Sequence, residues 1–471
     1  MPLIEPVALV PVADLGDVHF IAIGGAGMSG IAAMYAALGV RVSGSDQADS
    51  ATLAALADLG IRTAVGHDPA QLGVASTVVV SSAVRATNPE LAEARRRGLR
   101  VWHRSAALGA LMLGHTGIAV TGTHGKTTTT AMAAVLLDGA GADPSYVVGS
   151  PLADTGRAYH LGTGDAFVVE ADESDGSFGQ YPAQVVVITN VEADHLDNWG
   201  TAAAYAAGFV TLAVAEQVEV VVISADDPGA RALTPAIRAA GKRVVTFGEA
   251  PAADVRISAA SYPAAGARAT LDAAGDSGDL VLAVPGRYNL HTAAAAYAVG
   301  RALGIAGDRL RAAAGRFRGT ERRFQPVADL GGVRIFDDYA HHPTEVAATL
   351  TAARGLAGGG RLVACFQPHL FTRTRDFAVE FGQALALADE IVVLGIYPAR
   401  EDPLPGITGR LVADAAADSA KGAVHYVETL AEAAPALAGI VRSGDLVVTL
   451  GAGDVTRVGP ALAALLAEAT P

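Results

Sequence analysis

Gly117-Ile118-Ala119-Val120-Thr121-Gly122-Thr123-His124-Gly125-Lys126-Thr127 is the stretch that decides the fold. A short apolar run breaks into glycines, and the residues after Lys126 have helical character, which predicts strand, loop and helix in succession. In that setting backbone N–H groups and a helix N-terminus wrap phosphates, the lysine neutralises transferred charge, and the Thr127 hydroxyl is placed to hold Mg2+. The glycine spacing is tighter than in the common phosphate loop, because Val120 stands where a further glycine would be. The competing reading is a glycine turn with a solvated lysine. Only three lysines occur in the chain, Lys126, Lys242 and Lys421, so chance placement of one between a glycine and a threonine run is improbable.

Downstream, apolar runs at 166–169 and 185–188 both end in polar clusters. The first gives Glu170-Ala171-Asp172-Glu173-Ser174-Asp175, the second Thr189-Asn190-Val191-Glu192-Ala193-Asp194-His195-Leu196-Asp197. Strand ends are where α/β sheets bind ligands, so Glu170 is the best-placed metal ligand and His195 a second one through its neutral imidazole. Solvated acidic loops and a surface histidine are the plainer alternatives. Residues 250–285 read as irregular and β-like, 292–303 as an Ala-rich helix and 316–325 as a linker. These segments make a central domain over 114–321.

Upstream, the apolar run 18–23 breaks into Gly24-Gly25-Ala26-Gly27-Met28-Ser29-Gly30, followed by helical spacing at 31–38. Strands at 40–43, 77–80 and 99–102 alternate with helices at 50–59, 89–97 and 105–113, a doubly wound domain over 1–113. Gly25, Gly27 and Gly30 fit G-x-G-x-x-G, with Asp46 at a distance suited to a ribose hydroxyl. That geometry lets a pyrophosphate approach the backbone and serves NAD and a UDP-sugar equally well.

From Val333 the alternation restarts, with strands at 334–337, 361–366, 390–394 and 445–450, giving a third α/β domain over 322–471. Asp337-Asp338-Tyr339-Ala340-His341-His342-Pro343-Thr344-Glu345 closes one strand, and Phe366-Gln367-Pro368-His369-Leu370-Phe371-Thr372-Arg373-Thr374-Arg375 closes the next. A structural ion network is one explanation for so many ionisable groups; the other is a site where Arg373 and Arg375 meet a carboxylate or phosphate.

Bulk properties bound the function. At 471 residues the chain needs two or three cores. Its 51% hydrophobic but only 5% aromatic composition suits stacked βα units with small-residue helices. A net charge of −14 argues against a nucleic-acid partner. The single cysteine, Cys365, rules out an intrachain disulfide or a cysteine-based zinc site. Residues 1–16 do not read as a secretory signal and no uninterrupted apolar run predicts a membrane span, so a cytoplasmic location is expected.

Taken in order, the 24–30, 122–128, 170–175 and 194–197 clusters, Arg322-Arg323-Phe324, the 337–345 run and Phe366-Gln367-Pro368-His369 resemble the Mur ligase family along nearly the whole chain. The resemblance is nearest to the members that join L-alanine to the lactyl carboxylate of UDP-N-acetylmuramic acid, an ATP-dependent step of peptidoglycan precursor synthesis passing through an acyl phosphate. It implies a Rossmann-like first domain, a central P-loop ATPase-type domain and a Rossmann-like third domain. It further implies that Gly24, Gly25, Ala26, Gly27, Met28, Ser29, Asp46, Ser81, Ser82 and Arg104 bind the UDP-sugar. ATP falls to Gly122, Thr123, His124, Gly125, Lys126, Thr127, Thr128, Asn289, Arg323 and Asp338, and the amino acid to Tyr339, His342, His369 and Arg373. Two Mg2+ ions, replaceable by Mn2+, would sit on Thr127, Glu170 and His195, with Lys126, Glu170 and His195 carrying the chemistry. The expected assembly is a monomer or weak homodimer.

Three positions depart from the family pattern. Tyr288 precedes Asn289 where a histidine is usual, Thr292 replaces a second asparagine, and Leu370 stands where many members have arginine. Arg373 or Arg375 would compensate for the last. The alternatives are a related ligase that recycles a cell-wall tripeptide, a non-catalytic paralogue that binds the nucleotide sugar, and an NAD-dependent dehydrogenase.

Overall fold

In the computed structural model, residues 3–263, 266–399 and 401–469 are described; residues 264 and 265, within the stretch read as irregular, lie outside them. Contacts divide the chain into two units, Met1–Ala260 with Arg268–Leu282 and Leu290–Phe317, and Ser261–Ala267 with Ala283–Asn289 and Arg318–Pro471.

The first unit opens with β1 (Val18–Ile21), α1 (Ala26–Ala37), β2 (Val42–Asp46), α2 (Ala51–Asp58), β3 (Arg62–Val65), β4 (Thr77–Val80), α3 (Pro89–Arg96), β5 (Arg100–His103) and α4 (Arg104–Met112). The strands form a parallel sheet in the order β3-β2-β1-β4-β5. The direction of winding reverses between β1 and β4, which places the glycine turn after β1 at the topological switch point where such sheets take nucleotides. Ser50 and Asn88 cap α2 and α3 with their side chains, and Pro89 begins α3 without losing a hydrogen bond.

The glycine stretch differs from expectation: α1 begins at Ala26, so Gly27 and Gly30 are helical and not part of a loop ending at Gly30. Close packing explains their small size. A Cβ on Gly30 would stand 3.0 Å from the Tyr159 ring, and one on Gly27 would stand 3.4 Å from the Arg104 guanidinium.

The chain continues through β6 (Thr116–Thr121), α5 (Lys126–Gly139), β7 (Ser145–Val147), β8 (Tyr159–His160), β9 (Ala166–Glu170), β10 (Ala183–Ile188), α6 (Leu196–Trp199), α7 (Ala202–Ala213), β11 (Val220–Ser224), α8 (Pro228–Ala239) and β12 (Arg243–Gly248). Then come β13 (Val255–Ser261), β14 (Ala267–Ala273), β15 (Asp276–Leu282), α9 (Arg287–Ala302) and α10 (Gly307–Ala314). Ten strands build one sheet in the order β15-β14-β13-β12-β11-β10-β6-β9-β7-β8. β6 lies between β9 and β10 and runs parallel to both. Val185 to Ile188 are buried on both faces, which is why this strand reads as an unbroken apolar run. The 250–285 stretch is three regular strands, and the Ala-rich helix starts at Arg287, five residues before the expected 292, directly after Pro285-Gly286.

The second unit contains β16 (Gln325–Leu330), β17 (Val333–Asp338), α11 (Pro343–Ala357), β18 (Leu362–Phe366), α12 (Phe371–Leu385), β19 (Glu390–Leu394), α13 (Arg410–Ala417), β20 (Val424–Val427), α14 (Leu430–Ile440), β21 (Leu446–Leu450) and α15 (Val458–Ala469). Its sheet runs β16-β17-β21-β18-β19-β20, parallel except for the antiparallel edge pair β16 and β17. No described helix is long and apolar enough to cross a membrane.

Candidate active site

Because β10, β6 and β9 are parallel neighbours, the loops that follow them open at one edge of the sheet. The loop after β6 is shaped by its neighbour. Thr189 Oγ1 and Asn190 Nδ2 donate to the His124 carbonyl at 2.7 and 2.9 Å, and Asn190 Oδ1 accepts from the His124 amide at 2.8 Å. Gly122 has φ +131°, and a Cβ there would lie 2.0 Å from Thr189 Oγ1. Gly125, at φ +80°, caps α5. Thr123 bonds to the Tyr205 hydroxyl at 3.0 Å, and Thr127 and Thr128 are buried in the first turn of α5.

Lys126 donates to the carbonyls of Gly122 at 2.8 Å and Thr123 at 3.1 Å. Both carboxylate oxygens of Glu173 also lie 2.9 Å from its Nζ. Burial by itself pulls the ammonium pKa down, but Glu173, Asp172 and Glu170 outweigh it and leave the pKa above the ordinary lysine value. Burial raises the Glu173 carboxyl above the ordinary carboxylate range against the attraction of Lys126, and Asp172 adds to the rise. Burial also acts on Asp172, but Arg104 and Lys126 win there and hold it at about 2.

Thr127 Oγ1 donates to Glu170 Oε1 at 3.0 Å, while the Gly149 amide holds Glu170 Oε2 at 2.8 Å. Hydroxyl and carboxylate oxygen side by side at a phosphate loop are the hard donors Mg2+ takes. His195 caps α6 at φ +53°, with Nε2 3.5 Å from Asp194 Oδ2 and its amide bonded to Asp194 Oδ1 at 2.7 Å.

Of the residues expected to hold the UDP-sugar, Ser82 and Arg104 reach the acidic loop. Asp46 Oδ2 accepts from the Gly24 amide at 2.9 Å, so at least one of its oxygens fixes the glycine turn. Met28 is buried in α1. Ser81 and Ser82 follow β4, and Ser82 donates to Asp175 at 2.6 Å and lies 3.1 Å from His103 Nε2. Arg104 reaches Asp172 at 3.1 Å. Burial, aided by Arg104, lowers His103 to about 4, so the ring is neutral at pH 7.

In the second unit Asp338 is buried, accepting from the amides of Phe324 at 2.7 Å and Ala340 at 2.8 Å; burial raises it to about 6 despite Arg323. The guanidinium carbons of Arg322 and Arg323 lie 4.8 and 5.0 Å from the Tyr339 ring centroid, within cation–π range. Asn289 is buried and donates to the Pro285 carbonyl at 2.6 Å. His342 is a buried N-cap of α11, its amide bonded to Glu345 at 3.2 Å. His341, not singled out from sequence, is the histidine whose ring meets both Tyr339 at 5.2 Å and His369 at 5.7 Å, and burial lowers it to about 3. His369 stacks on Tyr397, and Arg373 is buried in the first turn of α12. Leu370 precedes that helix at φ +69°, a conformation costly for a leucine. Glu173, read only as one of several loop acids, and His341, adjacent to the chosen His342, are the two residues sequence reasoning passed over.

Three family models match the chain: Mur ligase family, catalytic domain, at 17–116; Mur ligase middle domain at 120–300; and Mur ligase, glutamate ligase domain, at 322–453. The UDP-N-acetylmuramate--L-alanine ligase of Cutibacterium acnes is 61% identical, with 99% of each chain covered. The protein of the same name from Kineococcus radiotolerans is 56% identical over 97% of this chain and 98% of its own. Among solved structures, the UDP-N-acetylmuramate-alanine ligase of Thermotoga maritima aligns with a TM-score of 0.80 at 28% identity, covering 96% of this chain and all of that one. A murein peptide ligase from Psychrobacter arcticus shares the fold at a TM-score of 0.70 and 23% identity, over 96% and 98% of the two chains.

Proposed function

The chain belongs to the Mur ligase family, with three Mur ligase domains in series, and from that premise we propose that it joins L-alanine to the lactyl carboxylate of UDP-N-acetylmuramic acid, using ATP and releasing ADP and phosphate. The observation that carries this reading is the full-length likeness to ligases bearing that name. The phosphate loop, whose lysine and threonine face carboxylates, supplies the chemistry the reaction needs.

A carboxylate oxygen of the sugar attacks the γ-phosphorus, the bond to the ADP oxygen breaks, and an acyl phosphate results. The neutral amine of alanine then attacks the acyl carbon, phosphate leaves, and the nitrogen gives up a proton. Lys126 and the loop amides of residues 122–128 meet the charge that builds on the transferred phosphoryl group. Thr127 and Glu170 would hold one Mg2+ and His195 a second. Bound there, the ions neutralise phosphate oxygens, and Mn2+ has the ligand preferences to replace them.

We assign 1–113 to the UDP-sugar, 114–321 to ATP and 322–471 to the amino acid. Within them, Gly24 to Ser29, Asp46, Ser81, Ser82 and Arg104 hold the nucleotide sugar. Asn289, Arg323 and Asp338 complete the ATP set, and Tyr339, His342, His369 and Arg373 hold alanine, Arg373 supplying the cation that Leu370 does not. A cytoplasmic monomer or weak homodimer fits a reaction among small soluble substrates. The tripeptide-recycling, non-catalytic and dehydrogenase readings are not favoured. The test is ADP formation from MgATP and UDP-N-acetylmuramic acid with L-alanine, glycine, serine or the cell-wall tripeptide as amine. L-Alanine is expected to drive turnover; turnover with the tripeptide alone would overturn the proposal.

A further inference from the structure

Lys126 has three ammonium protons, and protein groups already take all of them: the Gly122 carbonyl, the Thr123 carbonyl and the Glu173 carboxylate. Glu173 is fully buried. Apart from Lys126, the Tyr205 hydroxyl approaches Glu173 Oε1, at a long 3.4 Å. The Glu173 backbone is fixed as well, since its carbonyl accepts from Trp199 Nε1 at 2.9 Å. A triphosphate entering the loop therefore meets an ammonium whose charge is already matched by a carboxylate in a water-poor site.

We propose that Glu173 is a latch on Lys126, an internal anion that holds the lysine until a nucleotide phosphate displaces it and so competes directly with nucleotide binding. This rests on the reading of 122–128 as the ATP phosphate loop. No covalent step is involved: one ion pair is exchanged for another. The latch orients Lys126 and keeps it from being a buried, unpaired charge, and it sets the affinity for nucleotide below what the loop alone would give. A residue that merely supported the loop would have the opposite effect, because its loss would weaken phosphate binding.

The test is the dissociation constant of ADP, measured by calorimetry with and without Mg2+, for the full chain and for Glu173→Gln, which keeps the side-chain shape and removes the charge. The glutamine variant is expected to bind ADP on the order of tenfold more tightly, the low end of what relieving one like-charge juxtaposition gives in a desolvated interface. With ATP as substrate its KM falls by a similar factor while kcat does not rise. Glu173→Asp retains the anion but draws it back from the ammonium, and is expected to give a smaller gain in the same direction. Should the glutamine variant not fold, the aspartate variant carries the test. ADP affinity that is unchanged or weaker in the folded variant would overturn the latch. Failure of the unaltered chain to bind ADP at all would instead overturn the ATP reading beneath it.

Discussion

Lys126→Ala removes the cation at the phosphate loop, and Glu170→Ala removes the carboxylate that faces Thr127. Each is expected to lower kcat by about 100-fold or more, the size of effect seen when one preorganised charge-stabilising group is lost. Steady-state rates in protein with an unchanged melting temperature check this. A subtler change is Gly149→Ala. Its amide holds Glu170 Oε2, and a Cβ there would lie 2.5 Å from that same oxygen. The variant is expected to fold, to displace the carboxylate, and to raise the Mg2+ concentration needed for half-maximal turnover. An unchanged Mg2+ requirement would mean that Glu170 does not serve the ion. Residue identities at the phosphate loop and acidic turns were legible in the sequence because glycine, lysine and carboxylates are conspicuous there. What Glu173 and His341 do was not. Their partners, Tyr205 in α7 and His369 in the loop between β18 and α12, are distant in sequence, and no local pattern announces those meetings.

Among elements, β15, α9 and α10 are tied through one carboxylate. Asp276 accepts from Arg301 at 3.0 Å, from Arg311 at 2.6 and 3.0 Å, and from the Tyr297 hydroxyl. Arg311 first, then Tyr297, draw its pKa down to about 2 from 3.8. A depressed carboxylate pKa contributes stability that is present above the unfolded value and lost as pH falls through the folded one. Asp276→Asn is therefore expected to destabilise the chain at neutral pH by about 1 kcal/mol, a charged hydrogen-bond cluster discounted for solvent screening. The gap between wild type and variant should close between about pH 4 and pH 2, and urea titrations across that window check it. Several of the readable strands are those whose loops carry chemistry, while β19 and β21 were readable from their apolar runs alone. β11, as apolar as β10, is followed by Asp226-Asp227-Pro228-Gly229, but those carboxylates accept from backbone amides, Asp227 from Val191 and Ala230 and Asp226 from Glu249 and Ala250. β3 is a sheet-edge strand whose Arg62 and Val65 are exposed, so it lacks the apolar run that marks β1 and β4, and the β7–β8 hairpin is too short for periodicity to distinguish it from loop. Gly27 and Gly30 misled in the other direction, since a glycine-rich string signals a turn, yet these two lie in α1, where a Cβ on Gly30 would crowd the Tyr159 ring and one on Gly27 would meet the Arg104 guanidinium.

For the whole molecule, fold class followed from repeated strand–loop–helix order, and order of motifs along the chain carried the family resemblance further than any single motif did. The glycine-rich stretch of residues 24–30 could serve NAD or a UDP-sugar. It is the phosphate loop and acidic turns of the second sheet that a dehydrogenase would leave without a task. In the proposed reaction ATP activates the sugar carboxylate before alanine arrives at the acyl carbon. The most direct measurement supplies UDP-N-acetylmuramic acid labelled with 18O in the lactyl carboxylate, together with MgATP and L-alanine, and follows the label by mass spectrometry. The predicted result is the alanyl amide of the nucleotide sugar, ADP, and phosphate carrying one 18O atom from the carboxylate. Amide formed with unlabelled phosphate, or no alanyl product at all, would contradict it.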